Sequence, residues 1–170
     1  MSTTDKRQVI LQALEKELKG RRYDEVTVDQ IAKTAGVGKG TVYRYFKDKD
    51  DLFFQMVQEF LKEEIDAITV VAISSLNPIE KIIGVGEVMS MHIHQHGQYI
   101  RMMHAPHFGR RTHGPREIMG EHHDRLNRLL TQIFTAAENE GFLREGLDHQ
   151  LLLCAFKGIV MERSMQMRHL

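Results

Sequence analysis

The 170-residue sequence predicts an all-α protein, with a small N-terminal three-helix domain containing a helix-turn-helix and a larger C-terminal helical domain. Three observations predict it. Apolar residues recur at three- and four-residue spacing along almost the whole chain. Strand-type alternation with hairpin turns is missing, and there are only 3 prolines. Near the N-terminus, two short helical patterns meet at Ala35-Gly36-Val37, and the second carries several polar tips.

The elements follow in order. Val9, Ile10, Ala13, Leu14 and Leu18 share a stripe, which predicts a first helix over about residues 4–19 with Gly20 as its stop. Thr27 reads as an N-cap with Gln30 as its capping-box partner, and Val28, Ile31, Ala32 and Ala35 form the apolar face of a short second helix ended by Gly36. A third short helix covers about 38–46, with Val42 and Phe46 facing inward. The fourth, over about 49–75, carries Leu52, Phe53, Met56, Val57, Phe60, Leu61, Ile65 and Ile68. Asn77-Pro78-Ile79-Glu80 starts a fifth helix that runs to about His96. Gly97 interrupts it, and a short sixth helix covers about 98–105. Pro106 to Pro115 reads as a loop. The seventh helix carries Ile118, Leu126, Leu129, Leu130, Ile133, Phe134 and Ala137 and closes at Gly141. Asp148 caps an eighth, with Leu152, Ala155, Phe156, Ile159 and Val160.

Composition excludes more than it selects. The formal net charge is zero, so bulk charge is no argument for nucleic acid. Its distribution is more informative: residues 1–53 hold eleven Lys/Arg against nine Asp/Glu, net +2, and the remainder is net −2. Lys39, Arg44, Lys47 and Lys49 face only Asp48 within 38–49, the local basic patch that phosphate contact needs. A single cysteine, Cys154, allows no internal disulfide and suits the cytoplasm. The start MSTTDKRQVI lacks a signal pattern, and no apolar run approaches the roughly 20 residues of a membrane helix. No nucleophile-base pair or phosphate loop supports an enzyme, and no cofactor is implied.

The chemistry concentrates in residues 27–49. Gly36 can take the positive φ that ends one helix sharply, so the next can lie in a major groove. Lys39 and Lys49 offer point charges for phosphates, and Tyr43 and Tyr45 carry hydroxyls on rigid rings. Gly38 and Gly40 let the helix start approach a backbone closely. Thr41 and Arg44 are the side chains expected to reach bases. Each of these residues taken singly also fits a core or solvated position.

In this order of residues the sequence resembles the TetR/AcrR family of bacterial repressors. The resemblance runs from Val9-Ile10 through Thr27-Val28-Asp29-Gln30-Ile31-Ala32, Ala35-Gly36-Val37 and Gly40-Thr41-Val42-Tyr43-Arg44-Tyr45-Phe46 to Lys49-Asp50-Asp51-Leu52. It implies an all-α homodimer with a DNA-binding domain at 1–52 and an effector-binding and dimerisation domain at 53–170, helix four connecting them. It also implies DNA contact by Thr27, Lys39, Gly40, Thr41, Tyr43, Arg44, Tyr45 and Lys49. Three features depart from the family. Gly38 stands where serine is usual, Arg22 stands where a glycine precedes the loop aromatic, and the sequence stops at Leu170, where many relatives carry a ninth helix.

Beyond residue 53 the reading rests on residue chemistry. Phe60, Met89, His92, His96, Tyr99, Met103, Phe108, His122, Leu126 and Phe156 are candidates to line an effector site, and packed core explains them as well. Eight of the ten histidines fall between 92 and 123. His92 and His96 share a helix face, as could His104 and His107, and His122 or His123 could add a ligand. No standard zinc spacing occurs. Leu129, Ile133, Leu152, Ala155, Phe156 and Ile159, with Gly158 between, fit either a core or a dimer contact. The expected function is a repressor on a palindromic double-stranded operator, released by a small, largely apolar effector. The alternative is a metal-responsive repressor using the histidines.

Overall fold

A computed structural model describes residues 3–103 and 114–166. Seven α-helices and one 3-10 turn lie within them: α1 (Thr3–Leu18), the turn Tyr23–Glu25, α2 (Val28–Thr34), α3 (Lys39–Tyr45), α4 (Lys49–Ile73), α5 (Pro78–Met103), α6 (Gly114–Asn139) and α7 (His149–Gln166). No helix among the described residues is long and apolar enough to cross a membrane. The chain divides into two compact units, Met1–Glu59 with Met102–Pro115, and Phe60–Arg101 with Arg116–Leu170. The division falls inside the continuous helix α4.

In the first unit the predicted stripes are the buried ones. Ile10, Ala13, Leu14 and Leu18 of α1, Ile31 and Ala32 of α2, Val42 of α3, Phe46, and Leu52, Phe53, Met56 and Val57 of α4 are all buried. Leu11 joins them, while Val9 is only half-buried. The start of α2 carries the expected capping box: Thr27 Oγ1 accepts the Gln30 N–H at 3.3 Å, and Gln30 Oε1 accepts the Thr27 N–H at 2.9 Å. Gly36 ends α2 at φ +65°, a backbone state that a side chain would strain, and the Val37 N–H reaches back to the Ala32 carbonyl at 3.0 Å.

The second unit is built from the rest of α4 with α5, α6 and α7. Ile65, Ile68, Val85, Met89, Leu126, Leu130, Ile133, Phe134, Leu153 and Val160 form its core. Asn77 and Glu80 cap α5 reciprocally, each accepting the other's backbone N–H at 3.0 Å. A Cβ at Gly84 would lie 3.0 Å from a Val71 methyl, tighter than most side-chain contacts, so α5 and α4 approach closely there.

Two helix assignments differ from the sequence reading. The expected break at Gly97 is absent, and α5 runs unbroken to Met103 with Gly97 buried inside it. A mid-helix glycine costs about 1 kcal/mol, which burial of the flanking Tyr99 and Met103 outweighs. On α7 the inward ridge is Leu153, Val160 and Ser164, with Leu152 and Phe156 half-buried. Ala155 and Ile159, expected on the apolar face, are exposed.

Candidate nucleic-acid interface and C-terminal aromatic cluster

Recognition of a duplex needs a helix held from behind and bare in front, and α3 has both. Val42 and Phe46 are buried, and the Arg7 guanidinium lies 6.0 Å from the Phe46 ring centroid. On the other side Lys39, Gly40, Tyr43 and Arg44 are exposed, and Thr41 and Tyr45 are half-buried. Tyr43 keeps 48% of its surface in solvent, high for a tyrosine in a folded domain. Its hydroxyl has no hydrogen-bond partner among the described residues. The Arg44 guanidinium lies 5.3 Å from the Tyr45 ring, which steadies it without using its donors. A Cβ at Gly38 or Gly40 would meet nothing within 4 Å, so the start of α3 is open. Gly38 caps α3 with no side-chain hydrogen bond.

The basic residues are not equivalent. Lys39 Nζ pairs with Asp29 at 2.8 Å on the exposed surface, and that hydrogen bond raises its pKa. An exposed pair of this kind can be exchanged for a phosphate. Lys49 Nζ instead donates to the carbonyls of Tyr23 and Val26 at 2.9 and 2.8 Å. Thr27 is exposed beside α3's partner helix, with its side chain engaged in the cap.

A polar chain secures the far end of α3. Asp51 accepts the Lys47 N–H at 2.8 Å and a hydrogen bond from Gln55 at 3.0 Å. Gln55 and Glu59 in turn accept from Arg7 of α1, at 2.9 and 2.8 Å. Asp51, Gln55 and Glu59 are one helical turn apart, so a single face of α4 holds both α1 and the turn after α3.

In the second unit the structure brings together four of the candidate effector residues. The Phe60 and His96 rings stack at 3.9 Å between centroids and 19° between planes. Tyr99 lies 5.7 Å from Phe60, and His92 lies 5.7 Å from His96. Tyr99 is wholly buried, while Phe60, His92 and His96 are half-buried. Met89 and Leu126 are in the core, with Phe156 packed against it. Met103 is buried and belongs to the first unit. Phe108, His104, His107 and His113 lie outside the described residues.

His122 meets a residue the sequence reading missed. Its Nε2 shares a 2.8 Å hydrogen bond with Glu64 of α4, and Glu64 is 6% exposed. The signal was present: an acidic residue four places after Phe60 and four before Ile68 falls on the apolar stripe of α4. On α5, Ser90 is also buried, with no hydrogen-bond partner for its hydroxyl among the described residues. No group of three metal-ligating side chains comes together among the described residues. His94 and His123 are exposed.

Known proteins resemble the two parts unequally. Residues 10–56 match the family described as bacterial regulatory proteins, tetR family. An HTH-type transcriptional regulator of Bacillus subtilis, YhgD, is 42% identical over 59 residues, which are 35% of this chain and 31% of that protein. The match thus spans about a third of that relative's length. Among solved structures, a TetR/AcrR regulator of Thermobifida fusca superposes with a TM-score of 0.77 at 18% identity, covering 95% of this chain and 85% of that one. FadR of Bacillus subtilis, solved with stearoyl-CoA, gives 0.71 at 24% identity, covering 94% and 85%. These two likenesses concern the fold.

Proposed function

Because the chain belongs to the TetR family of bacterial regulatory proteins, we propose that it is a DNA-binding transcriptional repressor, released from a palindromic operator by a small, largely apolar effector. That family is regulatory and not enzymatic. One observation carries the reading: Lys39, Tyr43 and Arg44 stand outward on α3 while Val42 and Phe46 anchor it. A single α3 makes few contacts, and two copies reading half-sites about 34–36 Å apart multiply them. The outward stripe of α7, with Leu151 and Ile159 at 67% and 69% exposure around Ala155 and Gly158, supports a homodimer. Residues 1–52 then serve DNA, and 53–170 serve effector and partner, in the cytoplasm.

Phe60, His96, Tyr99 and Met89 support an apolar effector, with Glu64, His122 and the Ser90 hydroxyl as the few polar groups that would orient it. Effector binding shifts the two heads only to the extent that one conformation binds it better. Selection of bound duplexes from a randomised library tests the DNA half: enrichment of an inverted repeat is expected, and an unenriched pool would sink it. Mass spectrometry of protein purified from its host, followed by release of the selected duplex, tests the effector half. Stearoyl-CoA is a first probe, chosen because FadR of Bacillus subtilis holds it.

A further inference from the structure

We propose that Arg7 is a positioning residue for operator reading: it fixes the angle at which α3 is presented, and so sets how well the protein tells its operator from other DNA. The inference rests on the reading that α3 enters DNA. It gives a part in recognition to a side chain of α1 that lies over the Phe46 anchor.

The Arg7 guanidinium grips α4 at two successive turns. Its Nε and Nη2 both donate to Gln55 Oε1, at 3.3 and 2.9 Å, and its Nη1 donates to Glu59 at 2.8 Å. The guanidinium carbon lies 6.0 Å from the Phe46 ring centroid. Gln55 then uses its other end, Nε2 donating to Asp51 Oδ1 at 3.0 Å. Asp51 Oδ2 accepts the Lys47 N–H at 2.8 Å. Lys47 follows Phe46, the C-cap of α3. The chain of hydrogen bonds thus starts on α1, runs along one face of α4 and ends one residue beyond that cap. It also runs one way. Arg7 has donors and no acceptor, so the Gln55 amide must accept from it and donate onward, and Asp51 accepts from both sides.

Apolar burial does not fix that angle by itself. Ile10, Leu14 and Leu18 of α1 and Leu52, Phe53 and Val57 of α4 are buried, but apolar attraction is non-directional. Hydrogen bonds weaken steeply when bent, so this chain resists rotation of α4 against the turn that follows α3. The two kinds of DNA contact differ in what they demand. Attraction to phosphates is electrostatic and tolerates a tilt. Base-edge hydrogen bonds from Thr41 and Arg44 need α3 held within about 0.5 Å and 10–20° of its place. Loss of Arg7 therefore falls on base reading and spares phosphate binding.

The test is the ratio of affinities for the selected duplex and a random-sequence duplex, read by fluorescence anisotropy. It compares the unaltered protein with Arg7→Met, Arg7→Lys and Gln55→Glu. Arg7→Met is expected to lower the ratio about tenfold, the scale of one good base contact. Its affinity for the random-sequence duplex should stay within about twofold, with an unchanged salt slope. Arg7→Lys should fail as a rescue, because an ammonium keeps the charge and lacks the planar fork. Gln55→Glu cuts the chain in the middle: the carboxylate still accepts from Arg7 but has no hydrogen for Asp51, so the ratio should fall as in Arg7→Met. An unchanged ratio in Arg7→Met, equal losses on both duplexes, or full rescue by lysine would overturn the proposal. So would a salt slope lower by about 0.9 in Arg7→Met, which would make Arg7 a phosphate contact itself. Should Arg7→Met fail to fold, Gln55→Glu decides by the same ratio. If the unaltered protein prefers no sequence, the DNA reading fails instead, and amide exchange at Lys47 judges the chain. Faster exchange in Gln55→Glu then upholds the positioning role, and unchanged exchange overturns it.

Discussion

Residues 27–49, and residues 89–103 with His122, both combine aromatic rings with polar or basic tips, and the fold handles them in opposite ways. In the first stretch the apolar residues, Val42 and Phe46, go inward, and Tyr43, Arg44 and Lys39 are left in solvent. In the second, His96 lies against Phe60, His122 bonds the buried Glu64, and Tyr99 is fully enclosed. A surface of outward donors suits a large, highly charged partner that arrives whole. Inward polar groups among apolar neighbours suit a small partner that must be enclosed. The contrast teaches that similar composition carries different chemistry according to which side of the helix is anchored.

Four substitutions would break or sharpen that contrast. The largest effect is expected from Phe46→Ala, which removes the anchor behind α3. It should cost about 3–5 kcal/mol in chemical denaturation and abolish duplex binding, because α3 loses its seat. A stable Phe46→Ala that still bound DNA would mean that α3 is not the reading element. Arg44→Ala should leave stability within about 0.5 kcal/mol and weaken binding to the selected duplex by about 1–3 kcal/mol, read by fluorescence anisotropy. Equal losses of stability and affinity would place Arg44 with the anchors and erase the contrast.

In the second unit the expectation reverses. Glu64→Leu, which strands His122 without its carboxylate, should destabilise by about 1–3 kcal/mol while random-sequence duplex binding stays as it was. An unchanged melting curve would show that the pair is replaceable by packing alone. The smallest effect is Thr27→Ala, at about 1 kcal/mol from the lost cap, seen as a lowered denaturation midpoint. If its affinity falls further than its stability explains, Thr27 touches the duplex as well as capping α2.

What could be read in the residues was set by reach along the chain, in both units. Thr27 with Gln30, Asn77 with Glu80, Gly36 and the stripe Ile10–Leu14–Leu18 follow from contacts within four residues along the chain, so spacing alone reveals them. The division of labour among basic residues did not follow from spacing. Lys39 and Lys49 look alike in sequence, but carbonyls 23 and 26 residues away take the second amine. The same holds for Gly97, a predicted break that tertiary burial carries through, and for Ile159, whose stripe on α7 is turned away from the core. Glu64 is the clearest instance: its partner stands 58 residues away.

By itself the sequence determined the helical class, the cap and turn positions, and the order of tips along α3, because short-range sterics and hydrogen bonds decide those. The tertiary structure alone decided which tips stay in solvent. It sent the Lys49 amine into a loop, His122 onto Glu64 and His96 onto Phe60, because such pairings depend on helices that pack across long sequence separations, where no local spacing records the neighbour.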